Sequence, residues 1–577
     1  LGLLVKIEPL THNVGHCYRC DTVIEPYLSD QWFVRMKPLA EAALKVVQDG
    51  EIHFHPERWE KVYEHWMVNI RDWCISRQLW WGHRIPVWYC VGDGHCTLEC
   101  AQPIVAKERP AACPHCGSAN LRQDEDVLDT WFSSWLWPFS TFGWPHDNPE
   151  VRYFYPTDTL VTAPDIIFFW VARMVMAGLV VADGIPLPDG SRRTTPAQKV
   201  PFKDVYFTSI IRDDKGRKMS KSLGNSPDPL DVIDEYGADA LRFTIIYLAP
   251  LGQDVLYANE KCEIGRNFAN KIYNAGRFLL MNKAQLGATA PDSATTGLHA
   301  DLADRWILSR CHSTAQAMND LLGRFEINQA TKVLYEFVWH DFCDWYIEMV
   351  KGRLYGDEPE EVKRVVLGRA LDVFDQALRM IHPFMPFVTE EIWQHLSERG
   401  ERESIMVSTF PVADTAWIDR TTEEEMAFVQ SVINAVRNIR GELSVPPSKE
   451  IELVLHFADA GQADVLEKYR ASFQRLTRAT KMSRLGHQPK PAQSACAVVE
   501  GGEVFIPLGG IIDLGAERER ITKEINRVRG VLEGIEKKLS NESFVAKAPA
   551  DVVAKEREKL ESFRANLGKL EQNLAMM

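Results

Sequence analysis

The sequence KMSKS at residues 218–222 carries two lysine ammonium groups separated by a methionine and a serine. It follows residues 205–211, a β-branched and aromatic run that predicts a buried strand. Residues 213–216 predict a turn, and Asp228-Pro229 predicts the N-cap and first position of a helix. A basic loop between a strand and a helix can bind a polyphosphate, because lysines neutralise the charge that develops as pyrophosphate departs. A lone lysine pair is more often a solvated surface loop, but the complete string in this setting favours the phosphate site.

The composition is that of an acidic chain with several domains. The length of 577 residues implies more than one domain, and the formal net charge of −14 argues against general affinity for polyanions. The twelve cysteines include close pairs but form no dense disulfide pattern, which predicts metal ligands and a reducing compartment, the cytoplasm. We expect no secretory signal and no membrane contact, because the most apolar stretch, residues 166–182, is interrupted by Arg173 and predicts a buried helix.

A cluster of cysteines has spacings typical of metal ligands. The sequence CPHCG at residues 113–117 predicts a knuckle, in which the glycine lets backbone amides turn toward the sulfurs. The predicted ligands of a structural Zn²⁺ are Cys90, Cys96, Cys113 and Cys116. Cys100 and His95 compete with Cys96 for the fourth position. Because protein would fill all four positions, the ion is expected to be structural.

The string at residues 218–222 matches the second signature of class I aminoacyl-tRNA synthetases. Its surroundings, residues 217–225 and 228–230, resemble the valine-specific branch of that family, and the resemblance covers nearly the whole chain. The family's earlier signature, of the type H-I-G-H, is not in the sequence, since residues 82–85 differ from it in identity and order. The resemblance therefore implies the C-terminal two-thirds of a synthetase, without the N-terminal part.

The resemblance also implies which residues bind the substrates. The positions that match ATP-binding residues, with Mg²⁺ accompanying the nucleotide, are Lys218, Ser220, Lys221 and Ser222, and the two lysines are the catalytic pair. An amino-acid substrate needs carboxylates for its ammonium group and an apolar wall for its side chain. Asp126 and Asp165 are the predicted carboxylates, and Trp131 and Ile166 the predicted walls. Asp165 is equally well placed as a helix N-cap, so both roles stay open.

Tryptophans are concentrated in residues 59–88, and residues 72–82 are a hallmark of the family. Clustered aromatic residues belong to the core more often than to a site. We therefore expect Trp80 and Trp81 to pack inside the protein.

The predicted fold class is multidomain, α/β followed by all-α. The predicted domains are the tail of an inserted editing domain (1–26), the second half of a Rossmann-like catalytic domain (27–264) with a zinc-knuckle insertion (88–122), an anticodon-binding helical bundle (265–411), a small α/β connector (412–512) and a tRNA-binding antiparallel coiled-coil arm (513–577). In the first of these, Cys17 and Cys20 are either a second knuckle or two reduced thiols in a turn.

The arm is predicted from apolar residues that recur at spacings of three and four in residues 514–539 and again in 553–574. The break at residues 540–551, with Pro549, is long enough for the chain to reverse, which predicts a hairpin. A dimerisation coiled coil is the alternative. The side chains expected to be free for tRNA phosphates are Lys523, Arg527 and Lys537.

Enzymes of the valine-specific branch join valine to ATP, release pyrophosphate, and pass the valyl group to the terminal ribose of tRNA(Val). They edit mischarged tRNA in the inserted domain, and the resemblance implies a monomer that is inactive without its N-terminal part. An isoleucine-specific enzyme is the nearest alternative, but it typically ends in a cysteine zinc module, and beyond Cys343 this chain has only Cys496. A tRNA-binding module without activation activity is the alternative from a different class.

Overall fold

The structure is a computed structural model that describes residues 3, 5–17, 20–25, 27–92, 98–220, 223–287, 300–443, 445–446, 448–486, 489–511, 514–541 and 550–576. The chain divides into two compact units. Unit 1 is Leu1–Ile210 with Leu251–Gln253, and unit 2 is Ile211–Pro250 with Asp254–Met577. The division after Ile210 falls inside residues 27–264, which the sequence predicts as one domain.

Unit 1 combines short strands with helices. Its strands are β1 (Phe33–Val34), β2 (His53–His55), β3 (Trp73–Cys74), β4 (Ser76–Arg77), β5 (Val87–Cys90), β6 (Ile104–Val105), β7 (Leu121–Gln123), β8 (Val127–Leu128), β9 (Thr157–Thr162) and β10 (Phe202–Phe207). Its α-helices are α1 (Lys37–Gln48), α2 (Arg58–Val68), α3 (Thr130–Ser134), α4 (Trp137–Ser140), α5 (Pro149–Phe154), α6 (Ala172–Val181) and α7 (Pro196–Lys199). The 3₁₀ turns are Leu98–Ala101, Pro164–Ile166 and Ala182–Gly184, and a π-helical turn spans Ile167–Val171.

A parallel sheet of order β2-β10-β9 forms the centre of unit 1. The middle strand, β10, buries Val205 and Phe207 in the core. The sequence predicts a single strand over residues 205–211, whereas β10 begins earlier and ends at Phe207. The amide of Thr208 makes one more bond, 2.8 Å to the carbonyl oxygen of Thr162, before the chain leaves the sheet.

One described helical stretch, Pro164–Gly184, is long and apolar enough to cross a membrane by length and composition. In the structure all residues of α6 from Ala172 to Gly178 are buried, including Arg173. The prediction of a buried helix is confirmed.

The insertion that carries the cysteine cluster is an antiparallel sheet in which β5 pairs with both β6 and β7. In this sheet Cys90 lies opposite Leu121, at the end of β5. The loop that leads to the knuckle therefore starts from a fixed strand.

Unit 2 is mainly helical. Its α-helices are α8 (Pro229–Tyr236), α9 (Ala238–Leu248), α10 (Glu263–Leu286), α11 (Leu302–Gly323), α12 (Ile327–Tyr335), α13 (Ile347–Tyr355), α14 (Glu360–Ile381), α15 (Pro386–Leu396), α16 (Arg420–Glu442), α17 (Ala460–Lys468), α18 (Arg470–Thr477), α19 (Leu514–Leu539) and α20 (Ala550–Met576), and a π-helix spans Glu336–Tyr346. Its strands are β11 (Ile211–Arg212), β12 (Val255–Leu256), β13 (Ile451–Phe457), β14 (Ala479–Arg484), β15 (Ser494–Val499) and β16 (Gly502–Pro507). Short 3₁₀ turns span Asn259–Cys262, Ile405–Val407 and Thr415–Trp417.

The helices of the bundle are joined by a buried cluster of charged side chains around Asp304 of α11. Asp304 accepts a hydrogen bond of 2.8 Å from the hydroxyl of Tyr346 and lies 2.8 Å from Nη1 of Arg369. Arg353 also pairs with Asp304. Burial and the neighbouring Asp304 charge raise the pKa of Asp301 to about 6. The cluster fixes how α11, α13, α14 and the π-helix meet, because a buried charge must keep its partners.

A small sheet of order β14-β13-β16-β15 follows the bundle. The helix predicted at residues 423–442 is present as α16, and the strand predicted at residues 451–455 is β13. Leu453 and Leu455 of β13 are buried in the same core as the bundle helices.

The last two helices, α19 and α20, pack against each other in an antiparallel sense. Arg529 pairs with Glu571, Glu536 with Arg564, and Lys538 with Glu556, so the numbers rise along one helix as they fall along the other. Arg527, which the sequence predicts to be free, is paired with Glu524 one turn away at 2.6 Å. Pro549 lies outside the described residues.

The base of α19 belongs to the body of unit 2. Ile521 and Ile525 are buried in the main core, and a guanidinium nitrogen of Arg520 donates to the carbonyl oxygen of Glu442 at the end of α16, at 2.9 Å. Farther along, Val528 and Leu532 are buried as well.

Candidate active site and metal centre

The lysine loop lies in unit 2, and its first part is held by a polar clamp. Lys221 and Ser222 lie outside the described residues. Asn225 accepts a hydrogen bond from the amide of Ser220 at 2.9 Å and donates to the carbonyl oxygen of Lys218 at 3.3 Å. The same side-chain amide donates to Asp213 at 3.0 Å. Hydrogen bonds therefore fix the backbone around Lys218, and the side chain of this lysine is exposed.

Asp213 is the anchor of this clamp. Its carboxylate accepts the bond from Asn225 and also bonds the amide and the guanidinium of Arg217, each at 2.7 Å. These hydrogen bonds, with that from Asn225 first, hold the pKa of Asp213 far below its usual range. The carboxylate is therefore charged at every physiological pH and ties the loop to β11.

Trp131 lies on α3 of unit 1 and is partly buried. Its ring stacks on Phe169 of the π-helical turn, with centroids 6.0 Å apart and planes 27° apart. Ile166, at the end of the preceding 3₁₀ turn, is also partly buried. The α3 helix and the π-helical turn are in contact, so the predicted apolar walls come from neighbouring segments.

The two predicted carboxylates have different surroundings. Asp126 accepts a hydrogen bond of 2.8 Å from the side-chain amide of Gln78. Asp165 is exposed within the 3₁₀ turn Pro164–Ile166. The cap of this turn is Ala163, so the alternative role of Asp165 as N-cap is wrong.

Beneath α3 lies a buried charge cluster that the sequence did not reveal. Asp129, the residue before α3, accepts a hydrogen bond from the indole nitrogen of Trp73 at 3.0 Å. Its carboxylate lies 3.2 Å from Arg77 and 3.7 Å from Arg173. Burial lowers the pKa of Arg173 to about 10, although Asp129 opposes the shift. One carboxylate therefore fixes three segments of unit 1 around the helix that carries Trp131.

Trp80 and Trp81 are not in the core, and the prediction that they pack inside the protein is wrong. Their relative exposures are 102% and 91%. Trp73, seven residues earlier, is only 7% exposed, and the guanidinium of Arg173 lies 3.6 Å from its ring centre. The hallmark segment thus passes from the core to the surface within a few residues.

Four cysteine sulfurs in the insertion lie within 4.8 Å of one another: those of Cys90, Cys100, Cys113 and Cys116. The sulfurs of Cys90 and Cys116 are 3.6 Å apart, and those of Cys113 and Cys100 are 4.0 Å apart. A tetrahedral zinc with bonds of about 2.3 Å places its sulfurs about 3.8 Å apart, so the four thiols fit such an ion. Cys96 lies outside the described residues, and the fourth sulfur brought into the group is that of Cys100.

The knuckle has the backbone geometry that a metal site needs. Amides of Cys116 and His115 that point at the sulfur lower the pKa of Cys113. Gly117 has φ of +77°, a conformation that glycine adopts without strain, and its amide bonds the carbonyl oxygen of Cys113 at 2.9 Å. In contrast, Cys17 and Cys20 belong to no group of three or more candidate ligands among the described residues.

Comparison with known proteins assigns these features to a family. Residues 12–257 match the family described as class I tRNA synthetases (I, L, M and V), residues 304–455 match the anticodon-binding domain of tRNA ligases, and residues 513–577 match the valyl-tRNA synthetase tRNA-binding arm. The chain is 49% identical to a valine–tRNA ligase of Chlorobaculum tepidum and 46% identical to one of Symbiobacterium thermophilum, in each case over 100% of its own length. The chain is therefore similar to valine–tRNA ligases along its whole length.

The chain spans 62% of the length of those two relatives. Among solved structures, a methionyl-tRNA synthetase of Mycobacterium tuberculosis bound by methionyl-adenylate is similar, with a TM-score of 0.48 and 19% identity over 67% of this chain and 66% of its own. The class I match contains Lys218, Trp131 and the cysteine cluster. Helices α12 to α15 fall within the anticodon-binding match, whereas α10 precedes it.

Sequence reasoning does not identify two residues that support the candidate site, Asp213 and Asp129. Residues 213–216 predict only a turn, and no sequence pattern singles out Asp129. Two sequence signals could have pointed to these residues. One is an acidic residue directly before a short helix, and the other is a polar residue on each side of the basic loop. Neither signal specifies a partner, because the contacts of Asp129 to Trp73 and of Asp213 to Asn225 form only in the folded chain.

Proposed function

We propose that this chain is the larger part of a valine–tRNA ligase, which activates valine with ATP and transfers it to tRNA(Val). The observation that carries the proposal is the alignment of a valine–tRNA ligase along the entire chain, at 49% identity. The match of residues 513–577 to an arm described for valyl-tRNA synthetases favours valine over isoleucine.

In this proposal the chain supplies charge and position rather than a covalent intermediate. Lys218 and Lys221, with Ser220 and Ser222, hold the phosphates of ATP and its Mg²⁺. The ammonium groups neutralise charge on the departing pyrophosphate, so they act in the transition state more than in the ground state. The clamp formed by Asp213 and Asn225 keeps the backbone of Lys218 in place for that role.

Valine binds in unit 1 between Trp131 and Ile166. Asp165, which is exposed, and Asp126 face its ammonium group. The buried carboxylate of Asp129 does not contact the substrate in this proposal; it keeps α3 and Trp131 in position. Residues 265–411 bind the anticodon region of the tRNA, and residues 513–577 form an antiparallel coiled-coil arm whose Lys523 and Lys537 contact phosphates.

Valine-dependent exchange of pyrophosphate into ATP tests the function, in the protein extended to the length of its relatives. Lys221→Ala and Lys218→Ala should each slow exchange by a factor of about 10 to 1,000, with little change in valine binding, because the lost charge acts on the transition state. Lys215→Ala, three residues before Lys218 and exposed, is the matched control and should exchange normally.

Two results would contradict the proposal. One is normal exchange in both lysine variants, which would remove the loop from the mechanism. The other is exchange that isoleucine supports better than valine, which would identify the isoleucine-specific enzyme. If the extended protein bound tRNA but gave no exchange with any amino acid, the chain would be a tRNA-binding module.

We propose a structural Zn²⁺ held by Cys90, Cys100, Cys113 and Cys116. The ion would cross-link the end of β5 to the knuckle, and no step of the reaction passes through it. Elemental analysis of protein purified without chelator should find about one zinc per chain. Cys113→Ser and Cys100→Ser should lose it, whereas Cys96→Ser and Cys496→Ser should keep it. Loss of metal in Cys96→Ser but not in Cys100→Ser would restore the ligand set predicted from the sequence.

A further inference from the structure

A π-helical turn follows Ile166, one of the two walls of the proposed valine pocket. It spans Ile167–Val171, and the amide of Ala172 closes it by bonding the carbonyl oxygen of Ile167, five residues earlier. Ile167 and Val171 are buried in the core of unit 1. Turns of this kind are rare in helices and occur mostly at functional sites. The backbone of the turn is therefore fixed, and its aromatic side chains decide what it contributes to the pocket.

Two contacts attach this turn to α3, the helix that carries the other wall. The ring of Phe169 stacks on that of Trp131, with centroids 6.0 Å apart and planes 27° apart. The indole nitrogen of Trp170 donates to the carbonyl oxygen of Ser134 at 3.1 Å. One contact is near the start of α3 and the other is at its last residue. The helix therefore cannot tilt away from the turn without losing one of them.

One buried ion pair holds both members of the stack. The guanidinium carbon of Arg173, four residues after Phe169, lies 5.8 Å from the centre of the Phe169 ring. The guanidinium is also 3.7 Å from the carboxylate of Asp129, two residues before Trp131. Arg173 and Asp129 are both buried, and a buried pair keeps its geometry because an unpaired charge in the interior is costly. The rings of Phe169 and Trp131 therefore have little freedom to move apart.

The adjacent phenylalanine of the turn has the same cation beside it but a different ring partner. The centre of the Phe168 ring lies 5.6 Å from the guanidinium carbon of Arg173. Phe168 stacks on Trp66 of α2, with centroids 4.7 Å apart and planes 26° apart. Of these two rings, Phe169 is the one stacked on the wall of the proposed pocket. The pair therefore separates a contribution to the core from a contribution to the pocket.

We propose that Phe169 determines how large a side chain the valine pocket accepts, by holding the ring of Trp131 in place. The inference rests on the proposed function, in which Trp131 and Ile166 enclose the valine side chain. A wall rejects a larger substrate only if it cannot retreat, and close-packed groups resist displacement. Isoleucine exceeds valine by one methylene group, which an apolar pocket distinguishes by a factor of about 10 to 200. With Phe169 stacked on it, Trp131 cannot move aside to admit that methylene group.

The test measures exchange of pyrophosphate into ATP with valine and with isoleucine, in the protein extended to the length of its relatives. Phe169→Ala should raise the ratio of kcat/KM for isoleucine to kcat/KM for valine about tenfold, because Trp131 can then retreat. Phe169→Tyr keeps the ring and should keep the wild-type ratio. Phe168→Ala is the matched control, since it removes a ring of the same size beside the same guanidinium. It should lower stability to a similar extent and leave the ratio unchanged.

Two outcomes overturn this role of Phe169. One is a wild-type ratio in Phe169→Ala, and the other is an equal rise in Phe168→Ala, which would mean that a loosened core changes the specificity. If Phe169→Ala does not fold, Phe169→Leu decides, because it keeps an apolar side chain without the flat ring. Its ratio should rise severalfold, and an unchanged ratio overturns the inference as well. A wild-type protein that gives no exchange with valine refutes the proposed function, whereas a valine-active wild type with unchanged ratios in the Phe169 variants refutes only the role of Phe169.

Discussion

The segment of residues 72–82 contains tryptophans in opposite environments. Trp73 is buried, with its indole nitrogen bonded to Asp129 and its ring under Arg173. Trp80 and Trp81 stand in solvent. The residue type and the local composition are the same at both places. The environments differ in the partners that the fold supplies. The ring of Trp73 contacts a carboxylate and a guanidinium from two other segments. Below the backbone of Trp80 and Trp81, Gly82 packs on β8.

This contrast shows that a single segment can belong to the core at one end and to the surface at the other. The buried half ties α3 and α6 together through polar contacts in a low-dielectric interior, where an unpaired group is costly. The exposed half uses the rigidity obtained from that interior to present apolar surface outside it. We therefore expect the substitution of tryptophan by alanine to affect stability differently in the two halves.

The largest expected difference is between Trp73→Ala and Trp80→Ala. The first removes a buried indole and one of the hydrogen-bond donors to Asp129, so it should lower the free energy of unfolding of unit 1 by about 3–5 kcal/mol. The second should change it by less than about 0.5 kcal/mol, because the side chain is fully exposed. Hydrogen exchange of peptides from β10 in urea measures the stability of unit 1 separately. Equal losses in the two variants would show that Trp80 also packs.

A smaller effect is expected from Asp129→Ala, which leaves Arg173 buried with a less favourable charge environment. We expect a loss of about 3 kcal/mol in the same measurement. Combining it with Arg173→Met should recover part of that loss, since no buried charge then remains to be compensated. Additive losses in the double variant would mean that the pair does not interact, and the buried half of the segment would owe its stability to ring packing alone.

The smallest effect concerns the junction between the halves. Gly82→Ala should cost about 1–3 kcal/mol, because the new methyl group would lie 2.8 Å from Val127. Adding Val127→Ala should make the cost of the glycine substitution disappear. Gly15→Ala has no heavy atom within 4 Å of the new methyl group and serves as the control. A Gly82→Ala variant with unchanged stability would mean that the exposed tryptophans do not stand on a rigid base.

Local sequence order was enough to predict the strand, turn and capped helix that flank the lysine loop, the buried helix around Arg173 and the antiparallel pairing of α19 with α20. In each case the signal is contained in consecutive residues: a string of five, an apolar run, or a regular spacing on two helices. The cysteine cluster was predicted nearly as well, since three of its four members belong to strand β5 and the knuckle.

Contacts between distant segments account for what the sequence could not predict. Cys100 takes part in the cluster because the 3₁₀ turn Leu98–Ala101 brings its sulfur inward, and spacing along the chain does not distinguish it from Cys96. The tryptophans at positions 80 and 81 are exposed, and in their loop it is Gly82 that packs on Val127. The sequence predicts that Arg527 is free to contact phosphates. In the structure it forms an ion pair with Glu524, one helical turn away.

The anchoring of α19 has a mechanical consequence. The helix is 26 residues long, which corresponds to about 39 Å, and its first turns share a core with the rest of unit 2 through Ile521 and Ile525. A helix whose first turns are packed in a core transmits force to that core, whereas a helix on a flexible linker rotates freely. A force applied near Leu539 would therefore reach the contact between Arg520 and the end of α16.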